Sequence, residues 1–217
     1  MKDFVIIPAY NEGEKISAVI KEVKKHAQRI IVVDDGSQDD TAARAAQEKV
    51  IVLKHKVNLG KGAALRTGCD YALELGADRL VVIDADGQHM PEQIPQFINA
   101  LQDYEIIFGY RKRSATMPLV LRFGNNFINN TLKLMIGIDV HDSQCGYRSF
   151  TAAAYRNVRW KATDYYMETE MIIKAARHRL QYSQIPIETI YVDKYKGTTV
   201  FDGVKIVAKM ISQGVFP

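Results

Sequence analysis

The sequence predicts an α/β fold in which helices flank a mostly parallel central sheet. The first observation is that short apolar runs rich in β-branched residues alternate with stretches whose apolar residues recur at helical spacing. The second is that the first, second and fourth of these runs end in polar or acidic residues and a turn. Strands that follow one another through helices are joined by right-handed crossovers, so we expect them to lie parallel.

The first half of the chain alternates strands and helices. Apolar runs bounded by turn residues predict strands at 4–8, 29–33, 50–53 and 79–83. Ile16, Ile20 and Val23 share one face of a predicted helix that ends at about residue 26. Candidate N-cap residues predict the start of a helix over 41–49. Gly76 predicts the end of another helix over 58–76.

The second half is less regular. Proline is favoured at the first helical position, so Pro91 predicts the start of a helix. An apolar stretch containing asparagines predicts a helix over 118–136 that Gly124 interrupts and Gly137 closes. A polar loop over 141–150 enters a short strand. The other predicted elements are helix 91–101, strand 104–109, helix 168–178, strand 180–187 and an amphipathic helix over 202–211. Without a linker or repeat, we predict one domain spanning 1–217.

Composition restricts the class of protein. The chain has 217 residues and a net charge of +4, too small for the dense basic surface of a nucleic-acid-binding protein. Cys69 and Cys145 lack CxxC spacing, so neither a zinc site nor a disulfide framework is indicated, and we expect reduced thiols in the cytoplasm. No window reaches the roughly 18 apolar residues that a membrane span needs. We expect any membrane contact to be peripheral, on the cytoplasmic face, or to come from residues outside this chain.

Carboxylates follow three of the predicted strands. Glu12 follows the first strand, Asp34 and Asp35 follow the second, and Asp84 and Asp86 follow the fourth. The carboxyl ends of parallel strands share one edge of the sheet, where ligands of open α/β sheets bind, so we expect these side chains to converge on one crevice. Such a concentration of negative charge requires a cationic counterpart.

The segment from Asp84 to Gln88 has the ligand types of a magnesium or manganese site. Its carboxylates and the Gln88 amide supply oxygen atoms, and Mg²⁺ or Mn²⁺ keeps coordination positions for substrate phosphates. A cation held there would bridge the pyrophosphate of a nucleotide, while other carboxylates accept hydrogen bonds from its base and ribose. Taken alone, the same segment is also typical of an Asp-rich turn closed by Gly87.

Two common nucleotide-binding motifs are absent from the sequence. No GxGxxG follows the first strand, which argues against a nicotinamide enzyme. Gly60-Lys61-Gly62 lacks the rest of a P-loop, because no Ser or Thr follows Lys61 to hold Mg²⁺. The segment is either a helix entrance with glycines for close packing, or a place where Lys61 and backbone amides bind an anion.

Five motifs occur in order along the chain. They are Ile7-Pro-Ala-Tyr-Asn-Glu12, Val32-Val-Asp-Asp-Gly-Ser-Gln-Asp-Asp-Thr41, Asn58-Leu-Gly-Lys-Gly62, Asp84-Ala-Asp-Gly-Gln-His89 and Asp142-Ser-Gln-Cys-Gly-Tyr-Arg148. Together they resemble the family 2 glycosyltransferases of GT-A fold, within which the chain is most similar to the dolichyl-phosphate mannosyltransferase and polyprenyl-phosphate glycosyltransferase branch. The resemblance implies that residues 1–110 bind the nucleotide sugar and that residues 111–217 form the acceptor side.

The resemblance also implies roles for individual residues. Those that would bind the nucleotide sugar, together with the anion-binding candidate Lys61, are Pro8, Tyr10, Glu12, Val33, Asp35, Asp84, Ala85, Asp86 and Arg111. The metal ligands would be Asp86 and Gln88. Arg111 would contact the diphosphate or the acceptor phosphate, and Arg122 and Arg148 would bind the acceptor. For each arginine the alternative is a solvated basic loop.

The mechanism implied is an inverting hexose transfer from a nucleotide diphosphate sugar of GDP-mannose or UDP-glucose type. A metal at Asp86 and Gln88, with Arg111 nearby, would stabilise the leaving β-phosphate. A polyprenyl or dolichyl phosphate acceptor is already ionised and needs no strong base. A glycan or protein hydroxyl needs one, for which Asp142 is the candidate, unless it is a turn residue. The catalytic candidates are thus Asp86, Arg111 and Asp142; a third hypothesis is a non-catalytic sugar-nucleotide-binding protein.

The predicted terminal helix allows two interpretations. Its apolar residues lie beside Lys205 and Lys209, a pattern typical of a helix on an anionic membrane surface and equally of a helix packed on the core. Relatives in the resembled branch often continue into transmembrane helices. A lipid acceptor at a membrane surface is therefore inferred from the resemblance.

Overall fold

The structure is a computed structural model that describes residues 1–111, 119–188, 206–207 and 209–210, with the backbone alone over 119–125. Its strands are β1 (Asp3–Ala9), β2 (Ile30–Asp34), β3 (Ile51–Lys54), β4 (Arg79–Val82), β5 (Ile106–Arg111), β6 (Arg148–Thr151) and β7 (Tyr182–Ile187). Its helices are α1 (Gly13–Lys24), α2 (Thr41–Gln47), α3 (Lys61–Glu74), α4 (Ile94–Ala100), α5 (Leu119–Ile136), α6 (Ala152–Val158) and α7 (Tyr166–Arg177).

The strands form one sheet in the order β3-β2-β1-β4-β6-β5-β7. Neighbouring strands are parallel except at β6, which runs antiparallel to both β4 and β5. The predicted α/β fold with a mostly parallel sheet is confirmed. The carboxyl ends of β1, β2 and β4 lie side by side, because β1 pairs with both of the others in register.

Helices cover both faces of the sheet, as the unbroken apolar runs of its strands predict. Along β1, Phe4 and Ile6 pack in one buried cluster, with residues of α3, α5, α6 and α7, whereas Val5 and Ile7 pack in the other, with residues of α1, α2 and α4. Gly68 brings α3 against the sheet, since a Cβ atom there would lie 2.5 Å from Ile6 Cγ2. This close packing fixes the start of α3 relative to the strand ends.

Two helices differ from the prediction. α5 runs through Gly124 without a break, so the predicted interruption is wrong. A glycine inside a helix costs only about 1 kcal/mol, which burial of residues such as Ile128 and Leu132 outweighs. α6 was absent from the predicted elements, and Thr151 is its N-cap, with Oγ1 accepting a hydrogen bond from Ala154 N at 3.1 Å.

The predicted terminal helix over 202–211 falls mostly outside the described residues. The four residues of it that are described are helical. Ile206 and Met210 are buried in the core, and Lys209 Nζ lies 4.6 Å from the ring centroid of Tyr166. For these residues, packing on the core is therefore what the structure shows.

Candidate active site

A cavity of about 550 Å³ opens beyond the carboxyl ends of β1, β2 and β4. Side chains from separate strand ends meet in it, as the sequence predicts for a parallel sheet. The predicted residues that line it are Pro8, Tyr10, Glu12, Asp35, Lys61, Asp84, Ala85, Asp86, Gln88 and Arg111. Most of the candidate nucleotide-sugar and metal residues therefore share one space.

The turn after β4 has a defined conformation. Gln88 N donates a hydrogen bond to Asp86 Oδ1 at 2.9 Å, and Gly87 between them has a φ of +73°, which glycine adopts without strain. His89 Nδ1 lies 3.4 Å from Asp84 N, whose hydrogen bond it accepts. Burial lowers the pKa of His89, so its ring is neutral at pH 7 and can act as an acceptor.

Lys61 joins two carboxylates across the cavity floor. Its Nζ lies 2.8 Å from Asp84 Oδ1 and 3.2 Å from Glu168 Oε1. Burial opposes the charge of Lys61, but the two carboxylates outweigh burial and raise its pKa. Burial likewise opposes the charge of Asp84, yet the attraction of Lys61 outweighs it and lowers the pKa of Asp84. Lys61 and Asp84 are therefore both charged at neutral pH.

Asp35 organises the loop that leads to α3. Its Oδ1 accepts a hydrogen bond from Leu59 N at 3.0 Å, and its Oδ2 accepts one from Gly60 N at 2.8 Å. His55 Nδ1 lies 2.7 Å from Asp35 Oδ1. Asp35 lines the cavity but is buried among these protein partners. Its clearest effect on the site is to place the loop that carries Lys61.

The loop after β1 is tied to the start of α2. Glu12 N donates a hydrogen bond to Thr41 Oγ1 at 2.9 Å, and Gly13 N donates one to Asp39 Oδ2 at 3.0 Å. Tyr10 remains 40% exposed at the rim of the cavity. An exposed aromatic ring beside a polar cavity suits the flat base of a nucleotide.

Arg111 and Asp142 form a two-pronged ion pair. Arg111 Nε donates to Asp142 Oδ2 at 2.7 Å, and Arg111 Nη2 donates to Asp142 Oδ1 at 3.1 Å. Asp142 is buried and is not among the residues that line the cavity. Arg111 lines both this cavity and a second one of about 380 Å³, where Tyr110 and His141 also lie. Asp142 therefore fixes the guanidinium that stands between two cavities.

Two further predicted site residues have side chains outside the cavity wall. Val33 is buried in the core, and Arg148 is 1% exposed, so the cavity wall contains neither side chain. The guanidinium of Arg148 donates to the carbonyls of Ser143, Cys145 and Glu168 at 2.6, 2.9 and 2.8 Å. We correct the expectation that Arg148 reaches an acceptor, because its guanidinium already donates hydrogen bonds to buried backbone carbonyls. Arg122 lies in α5, and its side chain is outside the described part of the chain.

The cavity also contains residues to which the sequence analysis assigned no role. They are Ala9, Asn58, Ala64, His89, Gln144, Cys145, Gly146, Asp164, Tyr165 and Glu168. At Gly146 a Cβ atom would lie 2.6 Å from Asp84 Oδ2 and 2.9 Å from Lys61 Nζ, so a larger residue here would displace this ion pair. Glu168 belongs to the first turn of α7, where an acidic residue is common for purely helical reasons. Its sequence position gave no signal of a site.

The charges that line the cavity are unbalanced. In the described part of its wall, six residues carry carboxyl groups, whereas Lys61 and Arg111 supply the fixed positive charges. No group of three His, Cys, Asp or Glu side chains suited to holding a metal was found among the described residues. The donors present, the Asp86 carboxylate and the Gln88 amide, instead fit a Mg²⁺ or Mn²⁺ ion that takes most of its ligands from phosphates and water.

Comparison with known proteins agrees with the class that fold and site define, an α/β protein with a charged ligand cavity at the carboxyl edge of its sheet. The description "Glycosyl transferase family 2" belongs to a family profile that matches residues 4–159. The chain therefore belongs to glycosyltransferase family 2. The predicted resemblance, the GT-A fold class and the prediction of a glycosyltransferase are confirmed.

Two relatives illustrate the branch. The chain is 35% identical, over 236 residues, to the UDP-N-acetylglucosamine–dolichyl-phosphate N-acetylglucosaminyltransferase of Methanococcus voltae, with 96% of this chain and 94% of the relative covered. It is 28% identical, over 217 residues, to the undecaprenyl-phosphate mannosyltransferase of Micrococcus luteus, with 94% and 88% covered. Both names specify a polyprenyl-type phosphate acceptor but different sugars.

A solved structure supports the fold. Glucosyl-3-phosphoglycerate synthase from Mycobacterium tuberculosis, in complex with Mn²⁺, UDP-glucose and phosphoglyceric acid, matches with a TM-score of 0.78 at 19% identity. The match covers 100% of this chain and 80% of the synthase. Within the described part of this chain, no helix combines the length and apolarity needed to cross a bilayer.

Proposed function

We propose that this chain is a metal-dependent, inverting glycosyltransferase that moves a hexose from a nucleotide diphosphate sugar to a polyprenyl or dolichyl phosphate. The donor is of the GDP-mannose or UDP-glucose type, which includes UDP-N-acetylglucosamine. The observation that carries the proposal is the meeting of Glu12, Asp35, Asp84 and Asp86 with Lys61 in one cavity at the carboxyl edge of the sheet.

The nucleotide would lie along the ends of β1, β2 and β4. Pro8, Tyr10 and Glu12 offer an apolar surface, an aromatic ring and a carboxylate to the base and ribose. Asp84 and Ala85 follow on the next strand. Val33 is not part of this proposal because its side chain is in the core. Asp35 supports the nucleotide through the loop that it orders.

The diphosphate would lie beside Asp86 and Gln88. A diphosphate entering this cavity meets more carboxylates than fixed positive charges, so charge balance requires a cation between them. Mg²⁺ or Mn²⁺ held by Asp86 and Gln88 would supply electrostatic stabilisation of the leaving group. Lys61 is ion-paired with Asp84 and Glu168 and therefore stabilises the cavity floor beneath the diphosphate.

Arg111 would face the acceptor. It lies between the cavity and the second one beside Tyr110 and His141, so a phosphate that enters from that side meets a guanidinium already oriented by Asp142. A phosphate acceptor is ionised at neutral pH and needs no base. The pairing of Asp142 with Arg111 counts against Asp142 as the base that a hydroxyl acceptor would need, and favours the phosphate. A polyprenyl chain would remain in a membrane, with this protein at its cytoplasmic surface.

The proposal is tested by a transfer assay with radiolabelled GDP-mannose, UDP-glucose and UDP-N-acetylglucosamine, Mn²⁺ and dolichyl phosphate. We expect label to enter the organic phase from one donor, and EDTA or Asp86→Ala to abolish transfer. Asp103→Ala, at an exposed carboxylate outside the cavity, is the matched control and should be fully active. Absence of transfer to lipid phosphate from every donor, or an Asp86→Ala variant as active as the control, would overturn the proposal.

A further inference from the structure

Glu168 has a buried carboxyl group that the protein satisfies only in part. The residue is 2% exposed, and its Oε1 lies 3.2 Å from Lys61 Nζ. Its Oε2 is buried and has no hydrogen-bond partner among the described residues. Burial raises the pKa of Glu168, although Lys61 and Arg148 oppose this. Because a buried charged oxygen without a partner is destabilising, such atoms at a ligand cavity indicate a missing donor.

The position of Glu168 restricts the chemistry of that donor. Lys61 Nζ lies between Glu168 and Asp84, so its positive charge is already shared by two carboxylates. A phosphate next to Glu168 would be repelled. A neutral hydroxyl adds a charge-assisted hydrogen bond without changing the charge of the site. The donor best suited to Glu168 is therefore a hydroxyl group.

Tyr165 stands next to Glu168 on the same wall of the cavity. Its ring is 56% exposed, and Lys61 Nζ lies 5.8 Å from the ring centroid. An exposed aromatic face buries carbon–hydrogen groups, while a neighbouring carboxylate accepts hydrogen bonds. A hexose presents both kinds of surface, an apolar face of C–H bonds and an edge of hydroxyl groups.

This wall is held rigidly against the start of α3. Gly62 N donates a hydrogen bond to Thr163 O at 2.8 Å. The amides of Lys161 and Ala162 donate to the Glu170 carboxylate at 2.9 to 3.0 Å. Trp160 Nε1 donates to Gly62 O at 2.7 Å. The segment that presents Tyr165 and Glu168 is thus positioned before a ligand binds, which a selective binding site requires.

We propose that Glu168 and Tyr165 form the subsite for the donor hexose, in which Glu168 accepts a hydrogen bond from one sugar hydroxyl and Tyr165 covers the C–H face. The last torsion of a glutamate side chain turns easily, so either carboxylate oxygen can serve the hydroxyl while the other stays with Lys61. Glu168 is then a specificity-determining residue for the sugar. This inference rests on the proposed function, because it needs a nucleotide-sugar donor.

The test compares nucleotides with and without a sugar. Calorimetry with Mn²⁺ measures the affinity of the wild type and of Glu168→Gln for UDP, GDP, UDP-glucose, UDP-N-acetylglucosamine and GDP-mannose. We expect Glu168→Gln to bind the nucleoside diphosphate within about twofold of wild type but the cognate sugar nucleotide about 10- to 100-fold more weakly, the range of one hydrogen bond to a charged group. Glu74→Gln, at an exposed glutamate outside the cavity, is the matched control.

Deoxy donors identify the hydroxyl. Among the monodeoxy forms of the cognate sugar nucleotide, one should bind the wild type about 10- to 100-fold more weakly than the complete sugar, and Glu168→Gln should no longer distinguish the two. A merely structural role of Glu168 would leave the discrimination between complete and deoxy sugars unchanged in the variant. That result would overturn the inference.

Tyr165→Ala keeps the inference testable if Glu168→Gln does not fold. The side chain is largely exposed, so the variant should fold, and it should weaken binding of the sugar nucleotide but not of the nucleoside diphosphate. Tyr104→Ala, at a 39% exposed tyrosine outside the cavity, is its control. If the wild type binds no nucleotide, the proposed function fails as well. If it binds both kinds of nucleotide and the variants weaken both equally, only the hexose subsite is refuted.

Discussion

The clearest test of the structure is the substitution Arg148→Lys. The sequence indicates Arg148 as an acceptor-binding residue, whereas the structure places it in the core with three backbone carbonyls as partners. A lysine keeps the positive charge but is a single point donor, and it cannot reproduce the planar fork of the guanidinium. It therefore leaves one or two of these buried carbonyls without a donor.

The expected loss of stability follows from those contacts. Each hydrogen bond to a charged group contributes about 1.5–3 kcal/mol, so losing one or two of the three costs about 1.5–6 kcal/mol. The guanidinium also lies 5.2 Å from the centroid of Phe108, an interaction that a lysine keeps only in part. In a chain of this size, 1 kcal/mol shifts the unfolding midpoint by roughly 2–4 °C, which predicts a Tm lower by about 3–24 °C.

Urea unfolding and a thermal melt of Arg148→Lys measure this loss, with Arg44→Lys at an exposed helix position as the control. Steady-state kinetics at a temperature where the variant is folded separate stability from binding. We expect the KM for dolichyl phosphate to change by less than about threefold, the scale of a few tenths of a kcal/mol. A fully stable variant with a strongly raised acceptor KM would refute the buried role and restore Arg148 to the acceptor site.

Three further changes test the site and the fold. Asp142→Asn should lower kcat about 10- to 100-fold without changing the shape of the pH–rate profile, because Asp142 positions Arg111 and takes no proton. Gly146→Ala should lower kcat/KM by a similar factor, because its Cβ displaces the ion pair on the cavity floor. Asp70→Asn should destabilise the protein at pH 7 by less than about 1 kcal/mol, since the pair with Arg159 is partly exposed.

The ion pair of Asp70 makes the stability of the protein depend on pH. Burial raises the pKa of Asp70, but hydrogen bonds from Arg159 and Tyr155 outweigh it and lower the pKa below its ordinary value. The stabilisation is therefore fully present above the unfolded pKa of about 4 and is lost as the pH falls through the folded value. The difference in Tm between wild type and Asp70→Asn should vanish in acid. A difference that grew on acidification would contradict the assignment.

Specific results would contradict the predictions for Asp142→Asn and Gly146→Ala. Loss of one limb of the pH–rate profile in Asp142→Asn would show that Asp142 exchanges a proton with the acceptor. An unchanged kcat/KM in Gly146→Ala would mean that Lys61 and Asp84 have room to move, and circular dichroism checks that both variants are folded. Asp103→Asn, at the exposed carboxylate used above, controls for the removal of a surface charge.

Much of the fold could be predicted because apolar runs in the sequence mark the buried strands, and polar or turn residues mark where each strand leaves the core. The period-2 packing of β1 and the turn after β4 both follow from local sequence, and so does the convergence of Asp84 and Asp86 with Glu12. The antiparallel strand β6 was predicted only as a short strand, because its direction depends on where the chain returns after α5. No local pattern carries that information.

The remaining site residues depend on tertiary packing. Glu168 follows Asp86 by many residues and reaches the cavity only because the segment before α7 is hydrogen-bonded to the start of α3. Arg148 shows the converse. A charged residue at the end of a polar loop suggests exposure, but its burial depends on the carbonyls of Ser143 and Cys145 in that loop and of Glu168 in α7. Sequence spacing therefore locates side chains on strand ends well and those on packed helices poorly.

The position of β6 determines how the chain can be divided. This strand comes from the second half of the chain but lies between β4 and β5, which both come from the first half. We infer that a fragment ending near residue 110 would lack the strand that joins them and expose two facing strand edges, a state that promotes aggregation. Fragments from the two halves should instead recover native structure only when mixed, as complementing partners that rebuild a shared sheet.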